Sequence, residues 1–241
     1  MPTRIKETVF GALFAFVSAT TLIADQDTYS LTVQNLQVGT LKFTHEIKGT
    51  EYHSLANFAT TGLAGALFNM QISATSNGQG VHQGVYDPKV AQIITTTDGQ
   101  KSTLDLEFSD GTLTDFRSDP RVVSTIKPET QLGAIDPVTA LSYVLRPMPQ
   151  DRLCQLSVIV FDGVVSNRLV LNRPTLRKDG RFQCSGGIER LAGYSEEQIK
   201  AQGDVFYFTV LFRVDPASGG YKFDRLVGQS EYGQFQLLRD F

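Results

Sequence analysis

Apolar side chains recur at every second position along most of this chain, the spacing of half-buried β-strands. Residues 27–36 set Tyr29, Leu31 and Val33 against Ser30, Thr32 and Gln34. A turn at 37–39 is expected to lead into a strand with Leu41, Phe43, His45 and Ile47 inward and Lys42, Thr44, Glu46 and Lys48 in water, and residues 51–60 supply a third. Further strands are predicted over 69–76, 81–86, 91–97, 101–108 and 112–116. Asn77-Gly78, Asp87-Pro88, Asp98-Gly99 and Asp110-Gly111 punctuate them as turns.

Between these strands and the next set the pattern changes. Residues 61–68 are rich in Gly, Ala and Leu and suggest a short helical turn, whereas 117–135 show no period and read as a long loop. The clearest helix opens at Asp136, an N-cap residue, with Pro137 at the first helical position and Val138, Leu141, Val144 and Leu145 as an apolar stripe. Pro147 and Pro149 end it. Cys154, Leu156, Val158 and Val160 then share a strand face, Asp162-Gly163 turns the chain, and strands over 168–172 and 182–190 follow. Ser195 to Gln198 has the form of a capping box for a short polar helix. The most apolar strand, 205–214, places Phe206, Phe208, Val210, Phe212 and Val214 on one face before strands at 221–227 and 234–239.

About 13 strands against one substantial helix define a mainly β protein. Strand twist accumulates, so so wide a sheet with one apolar face must curl. The expected fold is a single large antiparallel curled sheet, a barrel or half-barrel, with one short covering helix. Residues 25–241 make one domain.

Composition narrows the setting. The net charge is −3, with 20% charged residues and no basic run, so nothing points to a nucleic-acid partner. Residues 1–24 read as a secretory signal: Arg4 and Lys6 precede an apolar run over 9–17, and Ala19 or Ala24 suits cleavage. Removing Arg4, Lys6 and Glu7 takes a net +1 away and leaves −4. A periplasmic or secreted location follows as an expectation. Cys154 and Cys184, the only cysteines, would join in an oxidising compartment, stabilising the fold by roughly 3 to 4 kcal/mol, and would be two buried thiols in a reducing one.

Chemistry is sparse. His45, His53 and His82 have no metal-ligand spacing, no cofactor motif is present, and no nucleophile, base and orienting group can be assembled from spacing. Asp105 and Glu107 read as the wet face of a strand, and Asp162 reads as a turn residue. Arg190 shares the parity of Cys184 and is expected to need a carboxylate partner if buried.

Several motifs together resemble the bacterial DUF3108 family. They are Phe161-Asp162-Gly163 with Leu169 and Leu171, Cys184-Ser185-Gly186 leading to Arg190, Ala192-Gly193-Tyr194-Ser195, Asp136-Pro137-Val138-Thr139-Ala140-Leu141, and Tyr29-Ser30-Leu31 before Val38-Gly39-Thr40. The resemblance spans nearly all of residues 25–241. It implies a secreted or periplasmic β-rich protein of Gram-negative bacteria and carries no activity. The expected function is an envelope protein sheltering a lipid or other apolar small molecule, with Phe43, Leu141, Val144, Phe206, Phe208, Val210 and Phe212 as cavity candidates. The alternative is an interaction protein with a solid core, joined to an envelope partner and holding no small molecule.

Overall fold

A computed structural model describes residues 26–81, 85–122 and 124–240. The secretory segment expected at 1–24, its two cleavage positions and His82 lie outside them. Fourteen strands form one sheet: β1 (Gln26–Val33), β2 (Leu36–Lys48), β3 (Glu51–Thr60), β4 (Met70–Val81), β5 (Val85–Thr97), β6 (Gln100–Ser109), β7 (Thr112–Asp119), β8 (Ala134–Ile135), β9 (Leu156–Phe161), β10 (Ser166–Leu176), β11 (Phe182–Ala192), β12 (Val205–Val214), β13 (Tyr221–Ser230) and β14 (Gly233–Arg239). The helices are α1 (Gly62–Leu67), α2 (Pro137–Leu145) and α3 (Glu196–Gln202).

The strand order is β7-β6-β5-β4-β3-β2-β1-β14-β13-β12-β11-β10-β9-β8. Two meanders therefore meet at a central seam where β1 pairs antiparallel with β14, Tyr29 opposite Arg239. All neighbours are antiparallel except the two-residue β8, which runs parallel to β9. The two ends of the sheet approach each other: Leu132 bridges to Thr112, and the Gly133 amide donates to the Gly111 carbonyl at 2.7 Å. They overlap as well as meet. Phe161 on β9 packs with Leu106, Phe108 and Leu113 of β6 and β7 in a second core, while the main core gathers around Tyr29, Phe43, Leu171, Phe212 and Phe223. The result is a nearly closed, rolled barrel.

Local chemistry moves several elements from their expected places. The first turn falls at Gln34-Asn35, both left-handed (φ 49° and 65°), and not at 37–39. Asn tolerates that conformation, and such a tight turn suits a hairpin's twist. Leu36 consequently opens β2 and is exposed. Asn77-Gly78 is no turn: β4 runs through it with a bulge against Asp87-Pro88, which lies inside β5. Gly is needed at 78 because a Cβ there would collide with the Asp87 carbonyl and lie 2.8 Å from the Tyr52 ring.

Cys154 is not on a strand. It sits at φ 59° in a turn ahead of β9, and the disulfide to Cys184 on β11 ties that turn to the sheet across a Cα–Cα distance of 5.3 Å. Arg190 needs no carboxylate, because its guanidinium donates to the Gln202 and Gly203 carbonyls at the end of α3 and lies over the Tyr194 ring. Asp162 is the expected turn residue, accepting from the Val164 and Val165 amides. The capping box of Ser195 and Gln198 forms as its spacing predicts.

The apolar stripe of α2 faces the inner side of the curled sheet, as expected. This helix lies within the barrel, touching β3, β4 and β5 on one side and β9 and β13 on the other.

Candidate functional site

The sequence of α2 is two-faced, and its surroundings match each face. Asp136 is fully buried, and its Oδ1 accepts from the Val138 and Thr139 amides at 2.8 and 2.9 Å. Its Oδ2 accepts from the Ser76 and Thr139 hydroxyls at 2.8 and 2.6 Å. Tyr52 adds a hydroxyl contact to Thr139 at 2.7 Å, and Ser54 meets Ser142 at 2.9 Å. Beyond Ser54 the chain of contacts continues through His45 Nδ1 (2.8 Å) and from His45 Nε2 to the Tyr86 hydroxyl (3.0 Å). The Tyr86 amide donates to the Tyr143 hydroxyl at 2.7 Å, and Arg146 stacks 4.8 Å from the Tyr86 ring centre. Each group that loses water here regains a partner, which is what makes burial of so many polar groups tolerable.

Electrostatics follows from that burial. Loss of water, reinforced by the Arg146 charge, pushes the His45 imidazole down to about 4. Burial pushes the Tyr52 and Tyr86 phenols and the Asp136 carboxyl up; for Asp136 the accepted hydrogen bonds oppose it. The Ser54–His45 pair has hydrolase-like spacing but not hydrolase-like surroundings. Ser54 has no exposed surface and shares its hydroxyl with Ser142, while the second imidazole nitrogen faces a phenol and not a carboxylate. His53 is exposed and paired with Asn77 at 2.5 Å. Among the described residues no group of three His, Cys, Asp or Glu side chains could hold a metal ion.

The other face of α2 borders a cavity of about 300 Å³. Pro137, Ala140, Leu141, Val144 and Leu145 form one wall, and side chains of β9 to β14 form the rest, among them Val160, Leu169, Ile188, Phe206, Phe208, Leu226, Phe235 and Leu237. Asn167 is the single polar side chain in the lining, its Oδ1 accepting from the Tyr194 hydroxyl at 2.7 Å. Many of the lining residues are only partly buried, so the apolar wall continues to the surface.

Two glycines create this room. Gly186 and Gly228 stand opposite Phe208 on the strands either side of it. A Cβ at Gly186 would run into the Phe208 ring, and one at Gly228 into the Phe235 ring. With no side chain beneath them the rings lie down on the sheet, an aromatic-over-glycine pairing that leaves the lumen above them unfilled. Phe206 stacks on Phe235 with centroids 5.7 Å apart and extends the same surface.

Of the seven cavity candidates read from the sequence, Leu141, Val144, Phe206 and Phe208 line the cavity. Phe43, Val210 and Phe212 do not; all three are buried in the main core. Val210 and Phe212 lie further along β12, where the disulfide and Phe223 close over them, and Phe43 sits on the β2 side with its ring stacked on His45. The walls from β9, β10, β11, β13 and β14 were not foreseen. Leu169, Leu226 and Leu237 carry the right parity, but parity cannot tell a filled layer from a hollow one.

No family model matches the chain, and no curated protein matches it in sequence. The DUF3108 resemblance therefore rests on its short motifs. Among solved structures, a beta-barrel-like protein of domain of unknown function DUF1849 from Brucella abortus is similar over 89% of this chain and 94% of its own, with 10% identity and a TM-score of 0.48. That likeness carries no argument about activity.

Proposed function

We propose that this protein is a cell-envelope binding or carrier protein that shelters the apolar part of a small molecule, such as an acyl chain, between α2 and strands β9 to β14. The observation that carries the reading is a 300 Å³ cavity whose lining holds one amide and no charge. That volume falls at the lower end of the roughly 300 to 1,000 Å³ range of small-molecule sites. It suits one short chain or ring system. A charged head group would find no counter-ion in the lining, so it stays at the rim or is absent, and Asn167 offers a hydrogen bond to an uncharged oxygen. The Cys154–Cys184 disulfide supports an oxidising compartment, and the secretory pattern at 1–24 and the DUF3108 resemblance support the same one.

The test is uptake of an environment-sensitive acyl probe, with native mass spectrometry of protein purified without detergent. Saturable uptake at one site, abolished by Ala140→Phe, is the expected result. Probe binding that Ala140→Phe leaves unchanged, or no uptake by folded protein, would overturn the reading.

A further inference from the structure

A single amide decides which polar atom the cavity accepts. Asn167, the second residue of β10, lines the cavity beside its strand partner Val160 of β9. Its Oδ1 accepts from the Tyr194 hydroxyl at 2.7 Å. Its Nδ2 has no partner among the described residues and is not among the enclosed polar atoms, so its two N–H groups face the open side of the wall. The lumen therefore meets a donor there, and no acceptor.

The orientation of that amide is set from behind. Arg190 stands opposite Asn167 on β11, yet its side chain is not part of the lining. Its guanidinium donates to the Gln202 and Gly203 carbonyls at 3.3 and 2.6 Å and to the Gln202 Oε1 at 3.2 Å, and it lies 5.5 Å from the centre of the Tyr194 ring. A cation over the ring draws electron density from the phenol and makes its hydroxyl the stronger donor, so the amide turns Oδ1 toward Tyr194 and presents N–H to the lumen. The cation itself is engaged by α3 and the ring. The nearest connections, 162–165 and 193–204, carry Asp162, Glu196, Glu197 and Asp204 against Lys200, so the charge around this wall is mainly acidic.

We propose that the cavity selects the carbonyl of an esterified acyl chain, with Asn167 as the specificity-determining residue and Tyr194 as the residue that positions it. The inference rests on the apolar-cargo reading and names the head group of that cargo. An ester is the acyl derivative whose polar atoms only accept. A carboxylate would lose water without gaining a counter-ion, since the lining carries no charge. An acyl amide or a fatty alcohol would accept from Nδ2 but bring an N–H or O–H of its own, and the one side-chain acceptor in the lining, Asn167 Oδ1, is already engaged by Tyr194.

The test is displacement of the acyl probe from the full chain by methyl octanoate, octanamide, sodium octanoate and decane at about pH 8, where a carboxylic acid is ionised. Asn167→Leu, close in volume and without donors, is expected to weaken methyl octanoate roughly tenfold and to leave decane unchanged. Tyr194→Phe, which frees the amide to rotate, should weaken the ester by a smaller factor with decane again unchanged. In the parent the ester should displace the probe at lower concentration than octanamide or octanoate. Methyl octanoate binding that Asn167→Leu leaves unchanged, or weakens no more than it weakens decane, overturns the inference, as does octanoate outcompeting the ester. Each of those results leaves the apolar-cargo reading standing. That reading fails instead if the folded parent takes up no probe and none of the competitors binds.

Discussion

The two sides of α2 solve the same problem in opposite ways. Toward β2 to β5 the lumen is filled by hydroxyls, an imidazole and a carboxyl, each with a partner, and the helix is held by directional bonds from Asp136, Thr139 and Ser142. Toward β9 to β14 the lumen is lined by Leu, Ile, Val and Phe, and a space remains. Directional bonds specify one position and leave no play, whereas apolar contacts tolerate small displacements. The polar side anchors the helix, so the apolar side need not be filled to hold it. A side chain packed into the cavity would add burial energy but remove the site.

That contrast can be attacked from either side. The largest expected loss comes from Cys154→Ser with Cys184→Ser, which removes the covalent tie beneath the cavity; urea unfolding should show roughly 3 to 4 kcal/mol less stability, with the polar side intact. Asp136→Ala should cost about 3 kcal/mol in the same assay, because it removes the N-cap and the acceptor for two buried hydroxyls. If it cost no more than an ordinary surface substitution, the anchoring role of the polar side would fail.

Acidity tests the polar side more gently. His45 is held neutral, its value depressed from 6.5 to about 4, so the fold binds fewer protons than the unfolded chain within that window. Stability present above pH 6.5 is then lost as the pH falls toward 4, by roughly 3 kcal/mol, and His45→Gln should flatten the profile there. Asp136 acts with the opposite sign, since its raised carboxyl value favours the fold as pH falls. The His45 contribution is therefore the difference between the parent and variant curves. The smallest effect on stability is expected for Ala140→Phe, within about 1 kcal/mol because the ring enters vacant space, although it should abolish acyl-probe uptake. A large destabilisation would mean that the space is smaller than described.

Much of the scaffold was legible from periodicity. Strand alternation, the Asp136-Pro137 helix start and the Ser195 capping box are local signals, and local chemistry decides them. The displaced features are those decided at long range. Asn77-Gly78 looks like a turn until Tyr52 and Asp87 arrive from neighbouring strands and need the missing Cβ. Cys154 looks like a strand residue until its bond to Cys184 and the preceding 3-10 turn at Gln150–Arg152 set its conformation. The site divides in the same way. Phe206 and Phe208 were visible as an apolar stripe, but Gly186 and Gly228, which let such rings lie flat, matter only through the strands they face. Equally, nothing in the spacing of His45, Ser54, Ser76 and Asp136 announces that they converge on one helix.

The seam between β1 and β14 has a consequence for how the chain reaches this state. Residues more than 200 positions apart, such as Tyr29 and Arg239, must find one another before the two meanders become one sheet. Until they do, each half exposes an unpaired edge and the greasy inner surface of a partial roll. Pairing at such separation is slow, and the waiting species is prone to self-association.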